Sequence, residues 1–156
     1  MWMMSRGWIL VVWLGLVVGT PIARGEPDRI IKVLPHYLDL QGRHAVSPSL
    51  FERDAYQAML RQTPAKQGGR QFDIQWKARK RPGRVLQLRL ELVTVEHTRG
   101  NPFRVDLEVT PTGTFGRWKR IKLEKALTDR LGEIIAWRVT LREDGNELSE
   151  QKSFLW

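Results

Sequence analysis

From Gln71 onward apolar and polar residues alternate with a period of two, the spacing that sends successive side chains to opposite faces of a β-strand. Phe72, Ile74, Trp76 and Ala78 share one face and Gln71, Asp73, Gln75 and Lys77 the other, which predicts a half-buried strand. After Arg81, Pro82 and Gly83, the residues Leu86, Leu88, Leu90 and Leu92 alternate with Gln87, Arg89 and Glu91. This short connection predicts an antiparallel hairpin with the preceding strand. Phe103, Val105, Leu107 and Val109 mark a third strand after the turn residues Gly100 to Pro102, and Trp118 to Leu123 a fourth, more basic one. Ile135, Trp137, Val139 and Leu141 form the fifth, and Asp144-Gly145, a strong hairpin signal, turns it back into a sixth over Leu148 to Trp156. Ile30 to Leu34, ahead of Pro35, predicts a seventh strand.

Ser47 to Gln62 departs from this pattern. Pro48 and the Ser49 to Glu52 spacing resemble a capping box. Phe51, Ala55, Ala58 and Met59 then fall on one helical face, and Pro64 ends the run. These signals predict one helix near residues 49–62, inserted between the first two strands. Lys125 to Gly132 reads as a crossing turn or short helix with Gly132 as its stop. Six or seven short strands with one inserted helix predict an all-β, antiparallel two-sheet sandwich.

The first twenty-five residues carry a different pattern. Arg6 precedes an apolar run from Trp8 to Val18, and Ala23-Arg24-Gly25 forms a small-x-small exit. This is the layout of a cleaved export signal, with the mature chain starting at Glu26. An uncleaved anchor would need about 20 apolar residues, roughly twice this run. The mature 131 residues, the size of one domain, keep 24 Lys and Arg against 17 Asp and Glu, a net charge of +7. No mature segment is apolar for long enough to span a bilayer as a helix. There is no cysteine, which excludes disulfides, thiolate zinc sites and cysteine nucleophiles, so stability must come from packing. The expected location is periplasmic or extracellular.

The sandwich resembles the immunoglobulin or fibronectin type in strand count and in its final hairpin, Ala136 to Phe154. It lacks the cysteine pair of the former and has no tyrosine near Gly132. A narrower resemblance lies in Leu34-Pro35-His36-Tyr37-Leu38-Asp39, Gly42-Arg43-His44, the segment from Ser47 to Gln57, Phe72 to Trp76, and Ser153-Phe154-Leu155-Trp156. With the export signal, these phrases resemble an uncharacterised family of small exported bacterial proteins over nearly the whole mature chain. That resemblance implies export and assigns no activity or catalytic residue.

His36, Asp39 and His44 are the cluster with metal-ligand chemistry, because imidazole and carboxylate could hold zinc once a fourth position were filled. Their spacing fits no compact ligand motif. Pro35 and Gly42 favour instead a loop whose polar side chains satisfy backbone groups, and neither a metal nor a cofactor is expected. Glu52 and Asp54, considered with Asp39 as an acid–base pair, are two apart on a helix and cannot face each other. No nucleophile elbow surrounds Ser47, Ser49 or Ser149, and no phosphate-binding glycine loop is present.

Basic residues gather at Arg79-Lys80-Arg81 and Arg84, and again at Arg117, Lys119, Arg120, Lys122 and Lys125. Alternation places Arg120 and Lys122 on the same face as Trp118, so cations would flank an exposed ring suited to an anionic polymer. Trp76 and Trp137 lie in phase with apolar neighbours and are expected in the core. The binding residues expected from sequence are therefore Arg117, Trp118, Lys119, Arg120 and Lys122. The expected partners are an anionic glycan, a lipid head group or an envelope protein. Nucleic acid is not an expected natural partner of an exported chain. Taken together, these features predict a non-catalytic binding or assembly module of the cell envelope. The alternatives are an envelope enzyme or metal-dependent protein using His36, Asp39 and His44, and a purely structural domain.

Overall fold

The computed structural model describes residues 28–111, 113 and 115–156, and the predicted export signal lies outside them. Seven strands and two helices follow in the order β1 (Arg29–Asp39), α1 (Leu50–Gln62), β2 (Gln67–Lys77), β3 (Leu86–Thr94), β4 (Phe103–Val109), β5 (Arg117–Glu124), α2 (Lys125–Leu131), β6 (Ile134–Glu143) and β7 (Asn146–Lys152). The strands form two antiparallel sheets, β1-β2-β5 and β4-β3-β6-β7. This is the two-sheet sandwich that the alternation predicts.

The core lies between the two sheets because each strand sends alternate residues inward. Ile30, Val33, Phe72, Ile74, Trp76, Ile121 and Leu123 come from the small sheet, and Leu86, Leu88, Leu90, Leu92, Val139 and Leu141 from the large one. The rings of Phe72 and Trp137 meet edge to face across this gap at 6.4 Å. Asp144 and Gly145 both take positive φ, 49° and 85°, the requirement of the two-residue turn that joins β6 to β7. Gly69 sits at φ +145°, and a side chain there would run into the carbonyl oxygen of Leu123 at 2.3 Å. Glycine at this position lets β2 and β5 close together beside α2.

Four expectations need correction. β1, expected to stop before Pro35 with His36 and Asp39 in a loop, runs through Pro35 to Asp39 as an edge strand paired with β2. β2 and β3 do not form a hairpin, because they belong to opposite sheets and the connection between them crosses the sandwich. Arg84 holds this crossover. It reaches Glu143 of β6, Asp28 ahead of β1, and the carbonyl of Arg79. The capping box does not form: Ser49 is the N-cap of α1 but makes no side-chain cap bond. The expected apolar face of α1 is also displaced, since Phe51 is 83 % exposed while Leu60 is fully buried. α1 docks on β1 through Gln57 instead. Its amide accepts from the Tyr37 N–H at 2.8 Å and donates to the Tyr37 and His44 carbonyls at 2.9 and 2.7 Å. These bonds satisfy backbone groups that an edge strand would otherwise expose.

The chain end departs from expectation too. β7 stops at Lys152, where Ser153 still exchanges bonds with Trp137. The last residues then turn so that the ring of Trp156 lies 5.0 Å from the guanidinium of Arg138. One side of the sandwich is closed, with the N–H of Ile30 in β1 donating to Ser149 of β7 at 3.1 Å. On the other side β4 and β5 are the sheet edges.

Candidate functional site

Edge strand β5 carries the five residues singled out by charge and alternation, and the register divides them between two surfaces. Trp118, Arg120 and Lys122 stand opposite Gln75, Asp73 and Gln71 of β2, on the outer face of the small sheet. Arg117 and Lys119 stand opposite Trp76 and Ile74, in the row that faces the large sheet. They escape burial because β5 has no neighbour on its far side. A recess of about 280 Å3 opens there, lined by Arg117, Trp118 and Lys119, by Trp76 of β2 and by the β4 residues Glu108 and Val109. Trp118 is 52 % exposed, as its polar phase predicts.

The fold joins a second basic cluster to this edge. The N–H of Gly113 donates to the carbonyl of Ala78 at 2.8 Å, which ties the loop after β2 to the loop before β5. Lys80 and Arg81 then line a recess of about 390 Å3 with Pro82 and Pro111. Phe115, 84 % exposed, stands just ahead of β5 at the same end of the sheet. Sequence reasoning missed Phe115 because it precedes the alternating run. Its signal was local: an aromatic residue between Gly113 and Gly116, in a turn with no apolar face to join.

Charge pairing separates this region from the rest of the molecule. On the outer face of the large sheet, Arg89 pairs with Asp106, and the buried Glu91 holds both Arg104 and Arg138. On the β5 edge Arg120 is engaged with Asp73 at 3.1 Å. Lys80, Arg81, Arg117, Lys119 and Lys122 form no ion pair among the described residues. Arg84, counted with the basic cluster in sequence, is not part of the surface. Its side chain is 3 % exposed and bound to Asp28 and Glu143. Lys125, at the far end of β5, pairs with Asp129.

His36, Asp39 and His44 do not assemble a metal site. The Asp39 carboxylate accepts from the N–H groups of Gln41 and Arg43, from the Arg43 guanidinium and from the Tyr56 hydroxyl at 2.7 to 2.9 Å. That is loop-organising chemistry. The rings of His36 and His44 lie 4.7 Å apart, and His36 faces Asp73 at 3.5 Å. Burial lowers the His36 pKa, the neighbouring His44 lowers it further, and Asp73 opposes both. No three His, Asp or Glu side chains among the described residues converge on a cation position. Among the described residues no helix is long and apolar enough to cross a membrane.

The Asp39 bonds carry a pH consequence. Burial works to raise its carboxyl pKa, but the Arg43 N–H, the Tyr56 hydroxyl and the Arg43 guanidinium outweigh it, and the group sits at about 2 instead of 3.8. The unfolded chain therefore binds this proton more readily than the folded one. Stability from Asp39 is complete well above pH 3.8 and is lost as the pH falls through about 2. Urea melts of wild type and Asp39→Asn over this range should show a shallower pH dependence in the variant, and parallel curves would contradict the assignment.

Comparison with known protein families, curated proteins and solved structures finds no match to this chain.

Proposed function

We propose that this chain is an exported, non-catalytic binding or assembly module of the bacterial cell envelope, periplasmic or extracellular, which takes an anionic glycan or lipid head group along the β5 edge. The observation that carries this reading is the gathering of Lys80, Arg117 and Lys119, none in an ion pair among the described residues, with Arg81 and the exposed rings of Phe115 and Trp118 at one end of the sheet, and with Lys122 further along the same strand. Cations that merely solubilise a surface are commonly interleaved with carboxylates, as on the large sheet here. Unpaired cations next to exposed rings suit a ligand that brings its own negative charge and an apolar or sugar face. The apolar run of residues 8–18 with its small-x-small exit supports export.

An immunoglobulin-like architecture belongs to the same proposal. The first, second and fifth strands share one sheet, and the third, sixth and seventh share the other. This is the partition of an immunoglobulin constant domain, with the fourth strand moved to the opposite sheet.

The test is a titration of wild type and Arg117→Ser/Lys122→Ser against polygalacturonate and against phosphatidylcholine vesicles with and without phosphatidylglycerol. Each basic side chain near an anionic surface contributes about 1 kcal/mol, so the double variant should bind roughly thirtyfold more weakly. Its stability should stay within about 0.5 kcal/mol of wild type, because both positions are exposed. Equal binding by the two proteins to every probe, or no binding by either, would remove this function from the β5 edge.

A further inference from the structure

At the opposite end of the small sheet a cleft of about 700 Å3 lies between Tyr37, Arg61 and Arg70 on one side and Lys125, Thr128 and Glu133 on the other. Tyr37 and Arg70 stand opposite each other in the β1–β2 register. The Arg70 guanidinium lies over the Tyr37 ring, 3.4 Å from its centroid, and Arg61 from the last turn of α1 brings a second guanidinium to 5.8 Å. Neither arginine forms an ion pair among the described residues. This contrasts with Arg84, Arg89, Arg104 and Arg138, each of which rests on a carboxylate. Arg70 is half-buried; burial lowers its pKa, the Tyr37 side chain opposes this, Arg61 lowers it further and Glu133 draws it back. Two like charges thus converge at a partly desolvated point with one ring as their shared support, an arrangement that disfavours the empty site.

We propose that this cleft binds the phosphoryl group of a sugar phosphate. Two guanidinium charges match a dianion, and a phosphate monoester carries about −1.5 to −2 at neutral pH, whereas a carboxylate would leave one positive charge over. Stacking on Tyr37 occupies the face of the Arg70 guanidinium and leaves its N–H edge, which fits phosphate oxygens in pairs. Lys125 is already held by Asp129 at 2.8 Å, so the arginines carry the anion. Across the cleft, Asp129 and Glu133 present carboxylates. These repel a second phosphate but accept hydrogen bonds from hydroxyl groups, so a sugar would fit on that side. The volume is in the range of small-molecule sites.

The two ends of the sheet are independent. Trp76 faces Arg117 at the start of β5, beside the recess, while Arg70 faces Leu123 near its end, next to Lys122 on the opposite face. The proposal therefore stands or falls apart from the function assigned to β5.

The test is calorimetric titration, with 31P line broadening alongside, using glucose 1-phosphate, inorganic phosphate and glucose as probes. Wild type should bind glucose 1-phosphate saturably and glucose not at all. Arg61→Gln, at an exposed helix end, should weaken binding about tenfold, the worth of one charge-assisted hydrogen bond. Arg70→Lys, which keeps the charge but loses the fork, should weaken it as well. Arg117→Ser/Lys119→Ser, at the other end of β5, should bind glucose 1-phosphate as wild type does. No saturable binding of either phosphate by wild type, or equal binding by wild type and Arg61→Gln, would overturn the site. Inorganic phosphate binding as tightly as the ester would overturn the sugar assignment and keep the phosphoryl one.

Discussion

Trp137→Ala is expected to lower the free energy of unfolding by about 3–5 kcal/mol, a large share of what holds a domain of this size together. The ring belongs to β6 of the large sheet, packs against the buried core and meets Phe72 of the small sheet edge to face at 6.4 Å. Its removal takes apolar area from both layers at once. It also leaves a void that two sheets, each held by its own ladders of hydrogen bonds, cannot collapse to fill. Chemical denaturation of the two proteins gives the comparison. A difference below about 1 kcal/mol would mean that the indole does not join the sheets.

Arg84→Met is the second large effect, expected at about 2–4 kcal/mol. Arg84 is 3 % exposed and holds Asp28 at 2.6 Å together with Glu143. Removing one partner of a buried ion pair leaves charge without compensation, which costs about 3–5 kcal/mol where the remaining groups are fully buried. Asp28 and Glu143 are 16 % and 26 % exposed, so water recovers part of that. Adding Asp28→Asn and Glu143→Gln to Arg84→Met should restore some of the loss, since neutral groups suffer less from losing the guanidinium. Denaturant midpoints of the single and triple variants decide it. A single-variant loss under about 0.5 kcal/mol, the level of an ordinary surface change, would show that Arg84 does not pin the crossover.

The same residue explains where sequence reading reached its limit. The central strands were legible because one buried face imposes a period of two, and Phe72, Ile74 and Trp76, or Leu86 to Leu92, state that period without ambiguity. β1, expected to stop before Pro35 with His36 and Asp39 in a loop, instead runs through Pro35 to Asp39 as an edge strand paired with β2. Alternation is a local signal, however, and does not say which sheet a strand joins. β2 and β3 lie in opposite layers, and the Arg84 bonds that hold the connection between them reach groups 56 and 59 positions away. The face of α1 was misread for a related reason: it docks through the Gln57 amide on the backbone of β1, a match of polar groups that hydrophobic periodicity does not register.

The candidate sites divide in the same way. Trp118, Arg120 and Lys122 could be placed on one face from parity alone. That Lys80, Arg81 and Phe115 gather at the same end follows from loop contacts formed only in the folded chain. Arg70 did leave a signal, since it shares the parity of Phe72 and Ile74, a charged residue in a core-facing row. Its partners Tyr37 and Arg61 come from other elements, and spacing could not supply them.

The central claim is that anionic envelope material is held along the β5 edge, and the most direct measurement follows the indole N–H signals of 15N-labelled protein as polygalacturonate is added. The account predicts that the Trp118 signal shifts first and most, that the signal of Trp137, which packs against Phe72 and lines no part of the recess, stays in place, and that added salt reverses the change as charge attraction is screened. An unchanged Trp118 signal while the polymer binds, or the same perturbation at high salt, would contradict it.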